Sequence, residues 1–517
     1  MLWEYLDKQQ AALVLTLGVT SILIHHLFST YYRLYHIPGP FIAKLTDLHR
    51  FFCVRSGFIH LYQAKAHSRY GPVVRFGPNM VSVCDPDAIQ TIFHNRTGFD
   101  KACGSGFTQD RFRPWTPDGL LLSVFTASND EKNRRMKQHI AMYFSLSYVV
   151  STFEKRIDKT INMFLEQLDQ LFAATGVSCD LTQWFKFFSY DAMGQMTFSR
   201  AYGCVEHGDD SIGIISDVKN TMLAIGPMTQ IPWLDWLLHK NWLLNSIKPE
   251  PVSCLLMYVL KRIAERKNNP TELHNTVDAG PDLNSDFLGY FIQAQEKESN
   301  KVPPRFLSTW TLANILGGSD STASMIRSVV CFLLENPEVL KNVRGELRDK
   351  QRDITGLSLP VPRWSELQNL PLLDACITES LRLDPPFATS LERIVPSGGI
   401  TVCGQFLPGG TVVGMNPYTT NRYRPTWGEE ADLWRPSRWL EGDPAHRRKI
   451  EASLLSFGAG TRTCLGQNVA MFEIKKLVVA LVMKYNLKLV KPREKNNQYS
   501  WIIMPGTVEA TIKCSTN

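Results

Sequence analysis

The stretch Ser456–Gln467, SFGAGTRTCLGQ, sets three glycines, two threonines, an arginine and one cysteine between the apolar Leu455 and a tail of helical character. Glycines leave such a loop free to turn tightly, so backbone geometry, more than side-chain packing, decides where Cys464 points. A buried structural cysteine and a phosphate-cradling loop are the plain alternatives. The second lacks the Gly-Lys-Ser/Thr ending and the preceding strand that it needs.

Two segments further up the chain bear on the cysteine. Phe306–Asn336, FLSTWTLANILGGSDSTASMIRSVVCFLLEN, keeps a helical pattern until Pro337 stops it. A helix of that size is roughly 45 Å long and crosses a whole domain. Its middle, Gly317–Thr322, sets two helix-weakening glycines beside an acid and three hydroxyls in an otherwise apolar element. One reading is a kink or a close helix contact. The other is functional: the glycines let a ligand approach the backbone, while Asp320, Ser321 and Thr322 handle protons where water is scarce. The second segment, Pro371–Pro386, reads as a helix with Glu379 and Arg382 on one face at i,i+3. Such a pair is usually a solvated surface bridge of little worth. Here its apolar neighbours Leu381 and Leu383 allow a buried pair held by a third group, and Arg438 of WRPSRW (Trp434–Trp439) can supply it.

Together these segments resemble the cytochrome P-450 superfamily of haem-thiolate monooxygenases, and the resemblance covers essentially the whole chain. Phe457, Gly460, Arg462, Cys464 and Gly466 stand at the spacing of the family's cysteine loop. The resemblance implies a mainly α fold with small β-sheets and haem b as cofactor. Cys464 is then the axial ligand of the haem iron, Phe457 packs over its sulfur, and Arg462 pairs with a propionate. Glu379, Arg382 and Arg438 match the family's Glu-Arg-Arg structural triad, and Gly317–Thr322 its oxygen-activation segment. Arg393 is either a second propionate partner or a surface arginine. A thiolate ligand pushes electron density into iron and favours O–O cleavage. The sulfur's charge needs support, which backbone N–H groups and the positive end of the helix after Gly466 can give.

Two positions depart from the family pattern. Ser321 stands where family members usually carry threonine, followed by Thr322; its hydroxyl can still donate, with more rotamer freedom and an expected rise in leakage to peroxide. In Ser128–Ser145 the usual tryptophan or histidine four residues before a basic propionate ligand appears as Asn133 before Lys137. Lys137 is therefore a candidate haem contact; with Arg134 and Arg135 it could equally form a basic docking face for an acidic reductase or a solvated helix face. Ala313, Asn314 and Leu316 on the long helix, and Phe387–Ser390, are candidates for the substrate wall or for ordinary core.

The chain has 517 residues, 44% hydrophobic and 20% charged, with a net charge of +7, and shows no internal repeat or low-complexity tract. The charge is too weak and too scattered for nucleic-acid binding. Eleven cysteines form no CxxC pair and have an odd total, which fits a reducing compartment. Ala11–Phe28 is uncharged and close to the roughly 20 residues of a bilayer span, so it is expected to be a transmembrane anchor. The prolines of IPGP (Ile37–Pro40) break helix continuation. The expected organisation is a tail at 1–10, an anchor at 11–28, a Pro-rich hinge at 29–40 and one catalytic domain at 41–517. Within that domain a small sheet from Tyr70–Pro86 precedes many helices, strands return in Arg393–Asn416, and a final helix follows Cys464.

By the same resemblance IPGP, DLHRFF and NPYTTNRYRPTWGEEADLWRPSRW look like fungal microsomal enzymes of the pisatin demethylase-like kind. That implies a single-pass protein of the endoplasmic-reticulum membrane with its catalytic domain in the cytosol. Its electrons come from NADPH through NADPH–cytochrome P-450 reductase, with cytochrome b5 as a further candidate partner. The expected reaction inserts one oxygen atom of O2 into a lipophilic small molecule, within secondary metabolism. Two rival functions remain at this level: a rearrangement, dehydration or oxidative coupling on the same haem, and a non-enzymatic haem sensor.

Overall fold

A computed structural model describes residues 2–94, 98–101, 115–116, 119–120, 122–127, 129–231, 234, 237–238, 243–244, 253–268, 286–352, 356–493, 497–499 and 502–515. The chain opens with α1 (Leu2–Arg33), one helix that joins the tail, the apolar stretch and the first residues of the hinge. Threonine hydroxyls satisfy themselves along it, Thr16 on the carbonyl of Ala12 and Thr20 on that of Thr16. The expected transmembrane helix is not supported, because among the described residues no helix is long and apolar enough to cross a membrane.

The hinge is docked on the body. Arg75 is fully buried and donates to the carbonyls of Tyr31, Thr30 and Pro78, while its backbone N–H meets Pro38 O at 2.7 Å. Gly39 lies so close to the Arg75 carbonyl that a Cβ would collide with it. Arg33 and His36 add bonds to the carbonyls of Gly409 and Phe406.

The small sheet expected in Tyr70–Pro86 begins as a hairpin, β1 (Val73–Gly77) against β2 (Met80–Val83), turned at Pro78–Asn79. With β3 (Asp100–Lys101), β4 (Leu391–Ile394) and β5 (Val412–Met415) it makes a five-stranded sheet in the order β1-β2-β5-β4-β3. Only the β2–β5 pairing is parallel, which is how the chain returns to its own N-terminal sheet after the helical body. The C-terminal strands Tyr485–Leu489 and Glu509–Cys514 pair antiparallel, and Cys179–Asp180 adds to the second.

Between the sheet strands run α2 (Asp130–Lys137), α3 (Leu146–Leu168), α4 (Leu181–Phe198), α5 (Arg305–Glu335) and α6 (Pro371–Leu383); α7 (Gln467–Lys484) follows the cysteine loop. Asn129 caps α2 and Asp180 caps α4 by accepting two backbone N–H bonds each, so both helices start where a short polar residue satisfies their free donors. α5 spans 31 residues, about 46 Å at 1.5 Å per residue. Most of its length is buried among α4, α6 and α7. A helix that apolar on all sides has its place at the centre of a core, and this one forms the axis of the main cluster.

Candidate functional site

The cysteine loop takes its shape from the residues singled out in the sequence. Gly458 and Gly460 have φ of 70° and 67°, a region that costs any side chain strain, and they fold Leu455–Thr463 back on itself. The Cys464 N–H then bonds Phe457 O at 2.8 Å. Cys464 is exposed as a residue, although protein surrounds its thiol. That enclosure raises the thiol above its ordinary value; the N–H of Gly466, the Lys137 ammonium and the N–H of Gln467 pull it back. Gly466 is the N-cap of α7, so the helix start faces the sulfur.

The basic residues sit around this loop. Lys137 is half-buried on α2 and donates to the carbonyls of Thr461 and Thr463, both at 3.5 Å, while Arg134 and Arg135 turn outward to Glu131. Burial lowers the Lys137 ammonium below its usual range. Arg462 bonds Asp130 Oδ1 and Ala127 O, each at 2.7 Å; Asp130, four residues before Arg134, went unnoticed in the sequence because nothing local pairs it with a loop 332 residues away. Arg393 is buried on β4, not at the surface, with its guanidinium 4.8 Å above the Phe93 ring. Burial first, and then the nearby Arg462, lower it to about 10.

Glu379, Arg382 and Arg438 come together in the core. Glu379 and Arg382 are fully buried and joined by two bonds of 2.8 Å, and Arg438 Nε meets Glu379 at 2.9 Å. The Arg435 N–H and the Trp439 indole complete five donors on one carboxylate. Arg382 also donates to the carbonyls of Asn421, Ala431 and Leu433. Asn421 is a residue that sequence reasoning missed. Its amide donates to Arg382 O and Ser456 Oγ, and its oxygen accepts the Leu455 N–H at 3.0 Å, so one buried side chain ties the triad to the start of the cysteine loop.

On α5 the acid and the hydroxyls diverge. Gly317 is exposed within a buried helix, and a Cβ there would meet nothing within 4 Å. A Cβ on Gly318 would stand 2.6 Å from Met193 Sδ, so this glycine permits the close approach of α4. Ser321 Oγ donates to Gly317 O at 2.6 Å, and Thr322 is buried. Asp320 instead turns to α4, where the Tyr190 hydroxyl donates to Oδ2 at 2.8 Å. Of the candidate substrate wall, Asn314 donates to Thr197 Oγ1 and Ser390 Oγ accepts from Gln63; Ala313 and Leu316 stay half-buried.

These residues fit an iron macrocycle carrying carboxylates. They supply a thiol supported by N–H groups on an exposed residue, three cations gathered near the Asp130 carboxylate, and a helix whose Gly317 backbone stands bare. The comparisons agree with the geometry. The pattern of the cytochrome P-450 family matches residues 37–513. A cytochrome P-450 monooxygenase of Aspergillus flavus is 41% identical over 94% of this chain and 93% of its own length. The cytochrome P-450 monooxygenase mfmA of Annulohypoxylon moriforme is 40% identical over 98% of each chain, and pkfB of Emericella nidulans, of the same description, 38% identical over 96% of each. The chain belongs to the cytochrome P-450 family: it is a haem-dependent monooxygenase that draws electrons from a reductase partner.

Proposed function

We propose that this monooxygenase inserts one oxygen atom of O2 into a lipophilic small molecule in fungal secondary metabolism, using NADPH electrons. The observation that carries this reading is the Cys464 loop, with its sulfur supported by the N–H groups of Gly466 and Gln467. When bound, haem supplies the iron at which O2 is reduced and one oxygen atom is transferred. Cys464 would supply the thiolate that holds the iron, Phe457 would cover the sulfur, and Arg462, Arg393 and Lys137 would hold the propionates. Gly317 leaves room for the substrate, Asp320 handles protons, and the hydroxyls of Ser321 and Thr322 orient the last transfer. Glu379, Arg382 and Arg438 act on the scaffold.

Residues 41–517 serve as one catalytic domain. α1 attaches it to the cytosolic side of the endoplasmic-reticulum membrane, a role supported by Leu13, Val14, Leu15, Leu17 and Phe28, which are 59–71% exposed on one helix. NADPH–cytochrome P-450 reductase is the electron donor, and cytochrome b5 a second partner.

The test is the carbon-monoxide difference spectrum of the reduced protein beside Cys464→Ala. A strongly red-shifted Soret band in the parent alone is expected; a band at the position of histidine-ligated haem in both would overturn the assignment. Metabolite comparison of a deletion strain then identifies the substrate. Substrate loss without NADPH or O2 would replace oxygenation by rearrangement.

A further inference from the structure

We infer that a cleft at the C-terminal end of α4 binds a small aromatic carboxylate. The cleft measures about 810 Å³, within the size range of small-molecule sites, and none of the residues assigned to haem or to proton transfer lines it. It lies between α3, the end of α4 with the turn that follows, and the helix Cys254–Asn268. Ser199 ends α4 in the left-handed region, with φ of 57°, and turns the chain back across the helix it has just left. The turn is fixed from within: the buried Asp191 carboxylate of α4 accepts the N–H groups of Gly203, Cys204 and Val205 at 2.9, 3.2 and 2.8 Å. Gly194 lets it approach, because a Cβ there would stand 2.7 Å from Arg200 O and 3.1 Å from the Tyr202 ring. Arg200 and Tyr202 therefore reach the cleft from a backbone braced on α4.

Two features of the lining select the ligand. One wall is aromatic: the Tyr258 ring meets Phe198 at 5.6 Å and Tyr202 at 5.2 Å between centroids, a surface that takes a flat ring. The rim is cationic, with Lys159, Arg200, Arg262 and Arg266 beside the acids Glu206 and Glu265. Arg266 is spent on Asp286, with bonds of 3.1 and 2.7 Å, and Arg262 holds Glu265 at 2.6 Å. Arg200 is exposed and has no ion-pair partner among the described residues. Burial raises the Tyr258 phenol while Arg262 and then Arg200 pull it back, so both cations stand close to the aromatic wall. A guanidinium whose fork is unused matches one carboxylate through two parallel N–H bonds. The same wall keeps two buried donors without a partner among the described residues, the hydroxyl of Tyr202, itself 7% exposed, and Arg262 Nε. Donors left so carry a cost that an acceptor brought from outside relieves. An aromatic carboxylate answers all three conditions, with its ring on Tyr258 and its charge on Arg200.

The experiment uses the full-length holoenzyme, with 2-naphthoate as the probe and its neutral isostere 2-naphthamide beside it. Binding is followed by isothermal titration calorimetry, with and without saturating imidazole to fill the open position on the haem iron. Binding heat that survives imidazole is expected. 2-Naphthamide binds about tenfold more weakly, and Arg200→Gln lowers the affinity for 2-naphthoate about tenfold, the worth of one charge-assisted contact. Tyr258→Leu lowers it about fivefold. Arg200 is exposed, so Arg200→Gln keeps the parental fold, which its carbon-monoxide spectrum checks.

A second readout is thermal, since a ligand that binds only the folded state raises its melting temperature. 2-Naphthoate should raise that of the parent and shift that of Arg200→Gln less. Equal affinity for parent and Arg200→Gln, equal affinity for 2-naphthoate and 2-naphthamide, heat that imidazole abolishes, or no heat at millimolar probe would each overturn the inference. A parent lacking the thiolate spectrum sinks the monooxygenase reading alone: the cleft is built without the haem, and its binding is still measured.

Discussion

Glu379 and Asp320 each anchor a buried charge cluster on a core helix, and the two are finished to different degrees. Glu379 is fully buried and accepts from five donors, so both oxygens are committed and no second arrangement competes. Asp320 holds one firm bond to Tyr190 and a loose approach from Lys186, with part of its surface still in contact with water. A saturated carboxylate fixes a fold. An unsaturated one can change partner, which a group that moves protons must do.

The contrast predicts a graded set of responses. Glu379→Ala leaves Arg382 and Arg438 buried and unpaired, a loss of about 3–5 kcal/mol, which is a large part of a domain's usual stability. Little soluble protein with a thiolate carbon-monoxide spectrum is expected; near-parental yield would show that the cluster is not a keystone. Asn421→Ala removes the tie between that cluster and the loop and strands the Leu455 N–H, at about 1–3 kcal/mol. Thermal melting should fall, and haem should be retained less well than in an equally destabilised variant remote from the loop.

Asp320→Asn should cost no more than about 1 kcal/mol, since one modest hydrogen bond changes character. Its main effect is expected on turnover and peroxide release, the reverse of the Glu379 pattern. A melting loss as large as that of Glu379→Ala would erase the distinction. The smallest effect sharpens it within one helix. Gly317→Ala places a methyl in open space and gains up to about 1 kcal/mol of helix propensity, while crowding the face assigned to substrate. The neighbouring Gly318→Ala must push Met193 aside and should destabilise instead. Opposite signs in chemical denaturation are the expected result.

What the sequence made legible had local spacing behind it. The cysteine loop, the i,i+3 pair on α6, the long α5 and the β1–β2 hairpin are each written within a few residues or one helical period, and each folds as read. The Tyr190–Asp320 bond is written across 130 residues, the Arg462–Asp130 pair across 332, and Asn421 looks like any polar residue in a turn. No period or motif joins such positions; tertiary packing alone does. The N-terminal reading stands apart: length and freedom from charge suggested a span, and among the described residues no helix is long and apolar enough to cross a membrane. The likeness of IPGP and DLHRFF to pisatin demethylase-like enzymes is an expectation that no comparison carries further, and pocket-facing positions follow no motif that would fix a substrate.

The tie made by Asn421 also orders events in time. Leu455 lies 34 residues beyond Asn421, Arg382 lies 39 before it, and Ser456 reaches back 75 residues to Leu381 O. The cysteine loop gains its shape only once these distant stretches have met, and such non-local closures come late because their loop entropy must be met first. Cofactor loading then acts as a checkpoint at the end of biosynthesis: a chain that presents Cys464 correctly has already completed its core, and the spectrum of a preparation counts the molecules that finished folding.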